Sequence, residues 1–189
     1  MITDRRSELI DLATNLVRGR GFSAFSYADL SEAAGIRKPS IHHHFPTKED
    51  LGVELVAAYT ERFSVHLDTI DARGDGAAER LAAYVTIYRD GVAAGQGCLC
   101  GVLASELGAL PVRLQAGVRK FFSLNLRWLE KTLRDGVEAD LGREVEPVRD
   151  AHTVLSTLQG AMFVALSLQS PAVFDQAVDG LLRKLVAGR

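Results

Sequence analysis

Cysteine is nearly missing from this 189-residue chain: Cys98 and Cys100 are the only two. Residues two apart on a helix point in divergent directions, so a disulfide between them would be strained. No second pair exists to complete a zinc site, and neither a secreted disulfide framework nor a structural metal is supported. Long hydrophobic runs are missing too. The most apolar stretch, Ala161 to Leu168, is too short to span a bilayer and is flanked by Gln159 and Gln169. The first twenty residues carry acids and bases throughout, unlike a signal peptide, so the expected location is cytoplasmic, with no membrane partner. Charge of one sign is not in excess either, since the formal net charge is -2, and bulk electrostatics advertise no polyanionic partner. No nucleophile elbow, phosphate-binding glycine loop or metal-ligand spacing occurs, so no enzyme, cofactor or metal is expected. Runs of alternating polarity and internal repeats are also absent.

What remains is helical. With 47% hydrophobic and 24% charged residues the chain has an ordinary globular composition, and apolar residues recur at three- and four-residue steps almost everywhere. An all-α fold is expected. Leu9, Leu12, Ala13, Leu16 and Val17 mark a first helix over 4–18, with Thr3 as its N-cap and Gly19 and Gly21 near its end. Ser26 stands three residues before Asp29, a capping-box pattern that opens a short helix over 27–34. Gly35 supplies the left-handed residue of a sharp turn, and Pro39 is tolerated in the first turn of a third helix over 38–44. Thr47 and Asp50 repeat the capping-box pattern and open a long fourth helix to about Asp71. The run Ala72-Arg73-Gly74-Asp75-Gly76 is a turn. Further helices are expected at 77–94, 99–108, 111–136, 147–168 and 172–186, separated by Gly95 and Gly97, Pro111, Gly142 to Pro147, and Pro171.

Two short helices joined by a glycine turn, about residues 26–45, have the dimensions of a DNA-reading helix-turn-helix. The charge distribution fits it. Between Glu32 and Glu49 there is no acid, while Arg37, Lys38, Lys48 and three histidines fall inside that window. Arg37 and Lys38 can neutralise phosphates or reach guanine acceptors; Ser40 and the histidines can meet base edges or backbone oxygens. Ile41 and Phe45, four apart, would anchor the helix on a core. His42, His43 and His44 cannot converge on one metal ion, because consecutive helical residues are about 100 degrees apart.

The block Gly21-Phe22, Tyr27 to Ile36, and Lys38-Pro39-Ser40-Ile41-His42-His43-His44-Phe45-Pro46-Thr47-Lys48-Glu49-Asp50-Leu51 resembles the TetR family of bacterial repressors. The resemblance implies a three-helix DNA-binding head over 1–63, helix four as connector, and a 64–189 domain that dimerises and encloses an effector. It also implies groove-facing roles for Lys38, Pro39, Ser40 and His44, and phosphate contacts for Tyr27 and Lys48. Ser26 and Arg37 join the candidate set from the neighbouring helix starts. Two positions depart from the family pattern. His42 stands where a phosphate-binding tyrosine is usual, so its contact depends on pH, and Arg37 stands where a small capping hydroxyl is common.

The expected function is a homodimeric transcription repressor, released from a palindromic double-stranded DNA operator by a small-molecule effector. Tyr59, Phe63, Tyr84, Tyr88, Cys98, Leu103, Phe121, Phe122, Asn125 and Trp128 are the candidate effector-pocket residues, apolar bodies with a few polar tips. Cys98 and Cys100, at a helix start, offer an alternative, a repressor that senses redox state or electrophiles through its thiols. A different-class alternative is a DNA-independent small-ligand-binding protein with a vestigial head. The last two helices are the expected dimer seam, through an apolar stripe of Val154, Leu155, Leu158, Ala161, Met162, Ala165 and Leu166 with Leu181, Leu182 and Leu185.

Overall fold

Apolar spacing and capping residues set where each helix forms. Leu9, Ile10, Ala13 and Val17 are buried along one side of α1 (Arg5–Arg20), and buried Thr14 satisfies its hydroxyl on the Ile10 carbonyl at 2.8 Å. The remaining helices are α2 (Tyr27–Ala34), α3 (Lys38–His44), α4 (Lys48–Asp71), α5 (Ala77–Ala93), α6 (Leu99–Ser105), α7 (Val112–Asp135), α8 (Pro147–Ser167) and α9 (Pro171–Val186). The computed structural model describes residues 5–136 and 146–186, and every regular element among them is helical, as the periodicity requires. Thr3, expected to cap α1, and the breaker Gly142 lie outside the described residues. Among the described residues, no helix is long and apolar enough to cross a membrane.

One helix ends earlier than its spacing indicates. α6 stops at Ser105, whose hydroxyl bonds back to the Val102 carbonyl at 2.7 Å, and a single 3-10 turn, Leu107–Ala109, follows. Glu106, at the break, has its carboxylate on Ser23, 83 positions earlier in the chain. A partner so distant leaves no trace in local periodicity.

The chain forms two units. One comprises the chain to Arg62 together with Cys98–Phe121; the other comprises Phe63–Gly97 and the chain from Phe122 on. In the first, Leu9, Phe25, Leu30, Ile41, Phe45 and Leu55 are fully enclosed, each contributing about 1.5 to 3 kcal/mol of burial. In the second, α8 packs on α9 and α5 around Leu81, Val154, Leu158, Phe174 and Val178.

That packing corrects the expected dimer stripe. Val154, Leu155, Leu158, Ala161, Met162 and Ala165, with Leu181 and Leu185 of α9, are buried within the single chain, and Leu166 and Leu182 are largely so. A monomer therefore does not leave this stripe exposed. The large apolar residues that α8 does present to solvent are Val148 near its start and, further along, Phe163 and Val164, 38% and 49% exposed, beside exposed Gly160.

Candidate nucleic-acid interface

The start of α2 is fixed by a closed cap. Ser26 receives the Asp29 amide on its hydroxyl at 3.4 Å, and Asp29 Oδ2 accepts from the Ser26 amide at 2.8 Å and from its hydroxyl at 2.6 Å. These bonds, from the Ser26 side chain first, then its backbone, with the Arg20 guanidinium adding to them, hold the Asp29 carboxyl below the usual carboxylate range. At the other end, Gly35 adopts φ 64° and its amide and that of Ile36 close on the Glu32 and Ser31 carbonyls. The turn delivers the chain into α3. Pro39 sits in its first turn and Arg37 caps it without a side-chain hydrogen bond, the weak cap expected of arginine there.

Ile41 and Phe45 are buried and anchor α3, which leaves Arg37, Lys38, Pro39, Ser40 and His42 exposed and His44 partly so. His44 meets His43 at 5.6 Å between ring centroids and Phe45 at 6.4 Å. His42 is built in differently. Its Nδ1 faces the Pro46 carbonyl at 3.2 Å and its ring meets the Tyr27 ring edge-on at 4.8 Å. An acceptor at Nδ1 selects the tautomer with hydrogen there and leaves Nε2 for any outside partner.

Tyr27 has a job the family resemblance did not assign. Its hydroxyl donates to the carbonyls of Phe45 at 2.8 Å and Thr47 at 2.7 Å, sharing its one hydrogen across the α3–α4 turn. Burial, with the Asp50 charge adding to it, pushes this phenol up to about 12. A proton spent on two carbonyls is not offered to a phosphate, so Tyr27 acts as a strut that sets the angle between α3 and α4.

Lys48 opens α4 with its ammonium 4.6 Å from the Phe22 ring centroid, 5.7 Å from that of Phe25, and 3.4 Å from the Ser23 carbonyl. Burial lowers its proton affinity, while the nearby Glu106 and Asp29 carboxylates raise it. Ser23, Ser26, Tyr27, Lys38, His42 and Lys48 together line one shallow concavity of about 540 Å³, with Phe25 and Ala28 as its apolar part. Five of the nine candidate DNA-contacting residues thus converge; Arg37, Pro39, Ser40 and His44 stand outside it. Two lysine ammonium groups, serine hydroxyls and an imidazole around an open depression suit an oxyanion of a polyanionic backbone.

Sequence spacing missed Ser23 and Glu106. The Glu106 carboxylate accepts from the Ser23 amide at 2.8 Å and its hydroxyl at 2.5 Å, steadying the turn between α1 and α2. Gly21 permits this approach: it has φ 85°, and a Cβ there would lie 2.1 Å from Glu106 Oε1. The Gly21-Phe22 pair was the only available signal, and it did not name the partner.

The ten effector-pocket candidates divide between the units. Tyr59, Cys98, Leu103 and Phe121 belong to the first, where the Tyr59 and Phe121 rings lie 5.5 Å apart. Burial first, and then the Cys98 thiol, hold the Tyr59 phenol well above its ordinary range; burial likewise pushes the Cys100 thiol up. Both cysteines are buried, which favours packing over thiolate chemistry. Phe63, Tyr84, Tyr88, Phe122, Asn125 and Trp128 belong to the second. There Trp128 stacks on Tyr84 at 5.3 Å, Phe63 meets Tyr84 and Tyr88 edge-on at 6.1 and 6.2 Å, and Tyr84 donates to Asn125 Oδ1 at 2.6 Å. Phe122 is partly exposed.

Comparison with known proteins places both halves of the chain. Residues 9–55 match the family model described as bacterial regulatory proteins, tetR family, and residues 77–181 match that of the tetracyclin repressor-like C-terminal domain. The crystal structure of a TetR-family transcriptional regulator from Agrobacterium tumefaciens superposes with a TM-score of 0.92 at 30% identity, covering 96% of this chain and 97% of that one. The HTH-type transcriptional repressor DhaR of a Mycobacterium species is 27% identical over 165 residues, 85% of this chain and 81% of the relative. The transcriptional regulator AcuR of Cereibacter sphaeroides is 33% identical over 103 residues; that match spans 52% of this chain and about half, 47%, of the relative.

Proposed function

Because the chain belongs to the TetR family of bacterial transcription regulators, we propose that it represses transcription as a homodimer, holding a palindromic operator until a small-molecule effector releases it. The observation that carries this reading is the concavity at the start of α2, where Lys38, His42 and Lys48 meet Ser23 and Ser26 without an acidic side chain in its lining. In this reading Lys48 and His42 take backbone phosphates, while Lys38, Pro39, Ser40 and His44 face the major groove, with Arg37 at its edge. Ser26 and Tyr27 hold the helix starts that aim them.

A palindromic site needs two heads about 34 to 36 Å apart. The solvent face of α8 around Gly160, Phe163 and Val164 supports a dimer seam in the last two helices, since small and apolar residues together allow close helix approach. Effector binding would then favour a head spacing that mismatches successive grooves, by as much as its differential affinity for the two states. The burial of Cys98 and Cys100 supports effector release over thiol sensing. The intact cationic face of α3 speaks against a ligand carrier with a vestigial head.

Selection from randomised DNA tests the reading. The wild type should recover a palindrome, Lys38→Ala should lose preference at one position per half-site at a cost of roughly 1 to 3 kcal/mol each, and Lys48→Ala should weaken all sites alike while flattening the salt dependence by about one unit per contact. Recovery of no palindromic site by the wild type would sink it.

A further inference from the structure

Inside the second unit a run of polar groups crosses from α7 through α5 to α8. Tyr84, fully buried, gives its one hydroxyl hydrogen to Asn125 Oδ1 at 2.6 Å. Its oxygen is then the acceptor in the 3.1 Å contact with Tyr88, which makes the Tyr88 hydroxyl the donor there. The Tyr88 oxygen in turn receives the Gln159 amide N–H at 3.5 Å. All donors point the same way, from Gln159 towards Asn125, and the direction is set by the amide oxygen of Asn125, which can only accept. The consequence falls at the far end. Gln159 Oε1 is enclosed and, among the described residues, has no hydrogen-bond partner. Thr132 Oγ1 shares that condition, but a hydroxyl can turn to donate; an amide oxygen can only wait for a donor.

We propose that Gln159 Oε1 is the recognition acceptor of the effector site, and that the effector is an uncharged, mainly apolar molecule carrying an O–H or N–H donor. This rests on the effector-responsive reading above and names the chemistry of that site. An anion is disfavoured because an acceptor oxygen repels it. The Arg80 guanidinium, which stands 5.4 Å from the Trp128 ring and whose enclosed Nε makes no hydrogen bond among the described residues, has its charge already balanced by Asp71 and Asp135. A cation is disfavoured for the matching reason: Asp71 serves Arg80 and accepts the Trp128 indole N–H at 3.0 Å. An unpaired buried charge of either sign costs more than one hydrogen bond returns. The rings of Phe63, Tyr84, Tyr88 and Trp128 supply the apolar surroundings.

Trp128 is the only tryptophan in the chain and stacks on Tyr84, so its fluorescence reports on this run directly. The test titrates the full-length protein with cyclohexanol, methoxycyclohexane and cyclohexanecarboxylate, which share a body and differ in being donor, non-donor and anion. Saturable change with the alcohol is expected, with the ether and the carboxylate at least about tenfold weaker, the worth of one neutral hydrogen bond. Gln159→Met should bring the alcohol down to the level of the ether and leave the ether unchanged. Tyr88→Phe, which removes the donor's supporting oxygen and keeps the ring, should reduce the preference for the alcohol without abolishing binding. Equal binding of the ether or the carboxylate, an undiminished alcohol preference in Gln159→Met, or no saturable response to any of the three overturns the proposal. A wild type that selects a palindrome but ignores the alcohol refutes this inference alone, whereas a wild type that selects no DNA refutes the repressor reading whatever the titration gives.

Discussion

On the face of the first unit, Lys38, Ser40 and His42 keep their polar ends in water; inside the second, Tyr84, Tyr88 and Asn125 bury theirs. The two regions use similar hydrogen-bonding atoms under opposite conditions. A polar group in water loses little when its protein partner is removed, because water replaces it, so its worth is measured in DNA affinity. A polar group in the interior has no such substitute, and its worth is measured in stability. Substitutions in the two regions should therefore separate cleanly, the interior ones moving the unfolding midpoint and the surface ones moving operator binding.

The largest effect is expected from Asn125→Leu. It removes the acceptor of the Tyr84 hydroxyl hydrogen in a fully buried position and leaves the 3.1 Å contact with Tyr88 to hold it, at a cost of about 2 to 3 kcal/mol, or a fall of roughly 4 to 12 °C in Tm. Adding Tyr84→Phe removes the poorly satisfied hydroxyl as well and should recover part of the loss, while operator affinity of the folded protein stays as it was. Thermal unfolding of the three variants checks this. A single variant as stable as wild type would erase the contrast between the two regions.

The next comparison lies within the first unit. Gly21 and Gly35 both hold positive φ, but a Cβ on Gly35 meets nothing within 4 Å while one on Gly21 collides with Glu106. Gly35→Ala should cost about 1 kcal/mol for the backbone alone, and Gly21→Ala about 2 to 3 kcal/mol, because it also displaces the carboxylate from Ser23. In a Glu106→Ala background the excess at Gly21 should vanish. A double-mutant cycle that shows no coupling between positions 21 and 106 would remove Glu106 from the account of the α1–α2 turn.

These contrasts also explain what was legible in the sequence. Ser26 and Asp29 are three apart, Gly35 closes its own turn and Pro39 sits one turn on, so the helix-turn-helix could be read from neighbours a few positions away. The run through Tyr84, Asn125 and Gln159 draws on three helices and separations of 41 and 71 or more residues, and spacing marked its members only as apolar or polar-tipped core. Period likewise cannot tell whether an apolar stripe is covered by its own chain or by a second copy, which is why Val154 to Leu166 was read as a seam when α5 and α9 already cover it. Tyr27 escaped spacing for a third reason. Its place at a helix start suits a phosphate contact, but its hydroxyl donates to carbonyls 18 and 20 residues later.

A smaller effect is expected at alkaline pH. The Tyr27 phenol is held up to about 12 in the fold, by burial and then by Asp50, and an unfolded tyrosine ionises near 10. The folded state thus binds the proton more tightly. The stability it contributes is fully present below pH 10 and is lost as pH rises from about 10 to 12. Tyr27→Phe should start less stable, having lost the Phe45 and Thr47 bonds, and should lose less of its remaining stability across that window. Denaturant midpoints at pH 9 and above, compared between the two proteins, test the sign; a steeper alkaline loss in the variant contradicts it.

The smallest effect expected is at His42, and it acts on DNA binding alone. The Pro46 carbonyl takes the hydrogen on Nδ1, so a neutral His42 turns the lone pair of Nε2 outward, towards which a phosphate oxygen is repelled. Protonation replaces that lone pair with an N–H donor and a positive charge. The DNA-bound state should therefore hold more protons than the free one, and affinity should rise as pH falls through the imidazole window. Tyr27, Lys38 and Lys48 line the same concavity, and the two ammonium groups oppose a third charge until a phosphate is present, which couples the proton to the DNA. About a threefold gain per half-site is reasonable for one exposed charge-assisted contact. His43 and His44 are imidazoles on the same helix, so each is replaced by Gln in the reference protein. In that background His42→Tyr offers a hydroxyl donor that does not titrate here, and its operator affinity should be flat across the window. An equal pH response with tyrosine at 42 would assign the effect to other groups and return His42 to the role of a turn-stabilising side chain.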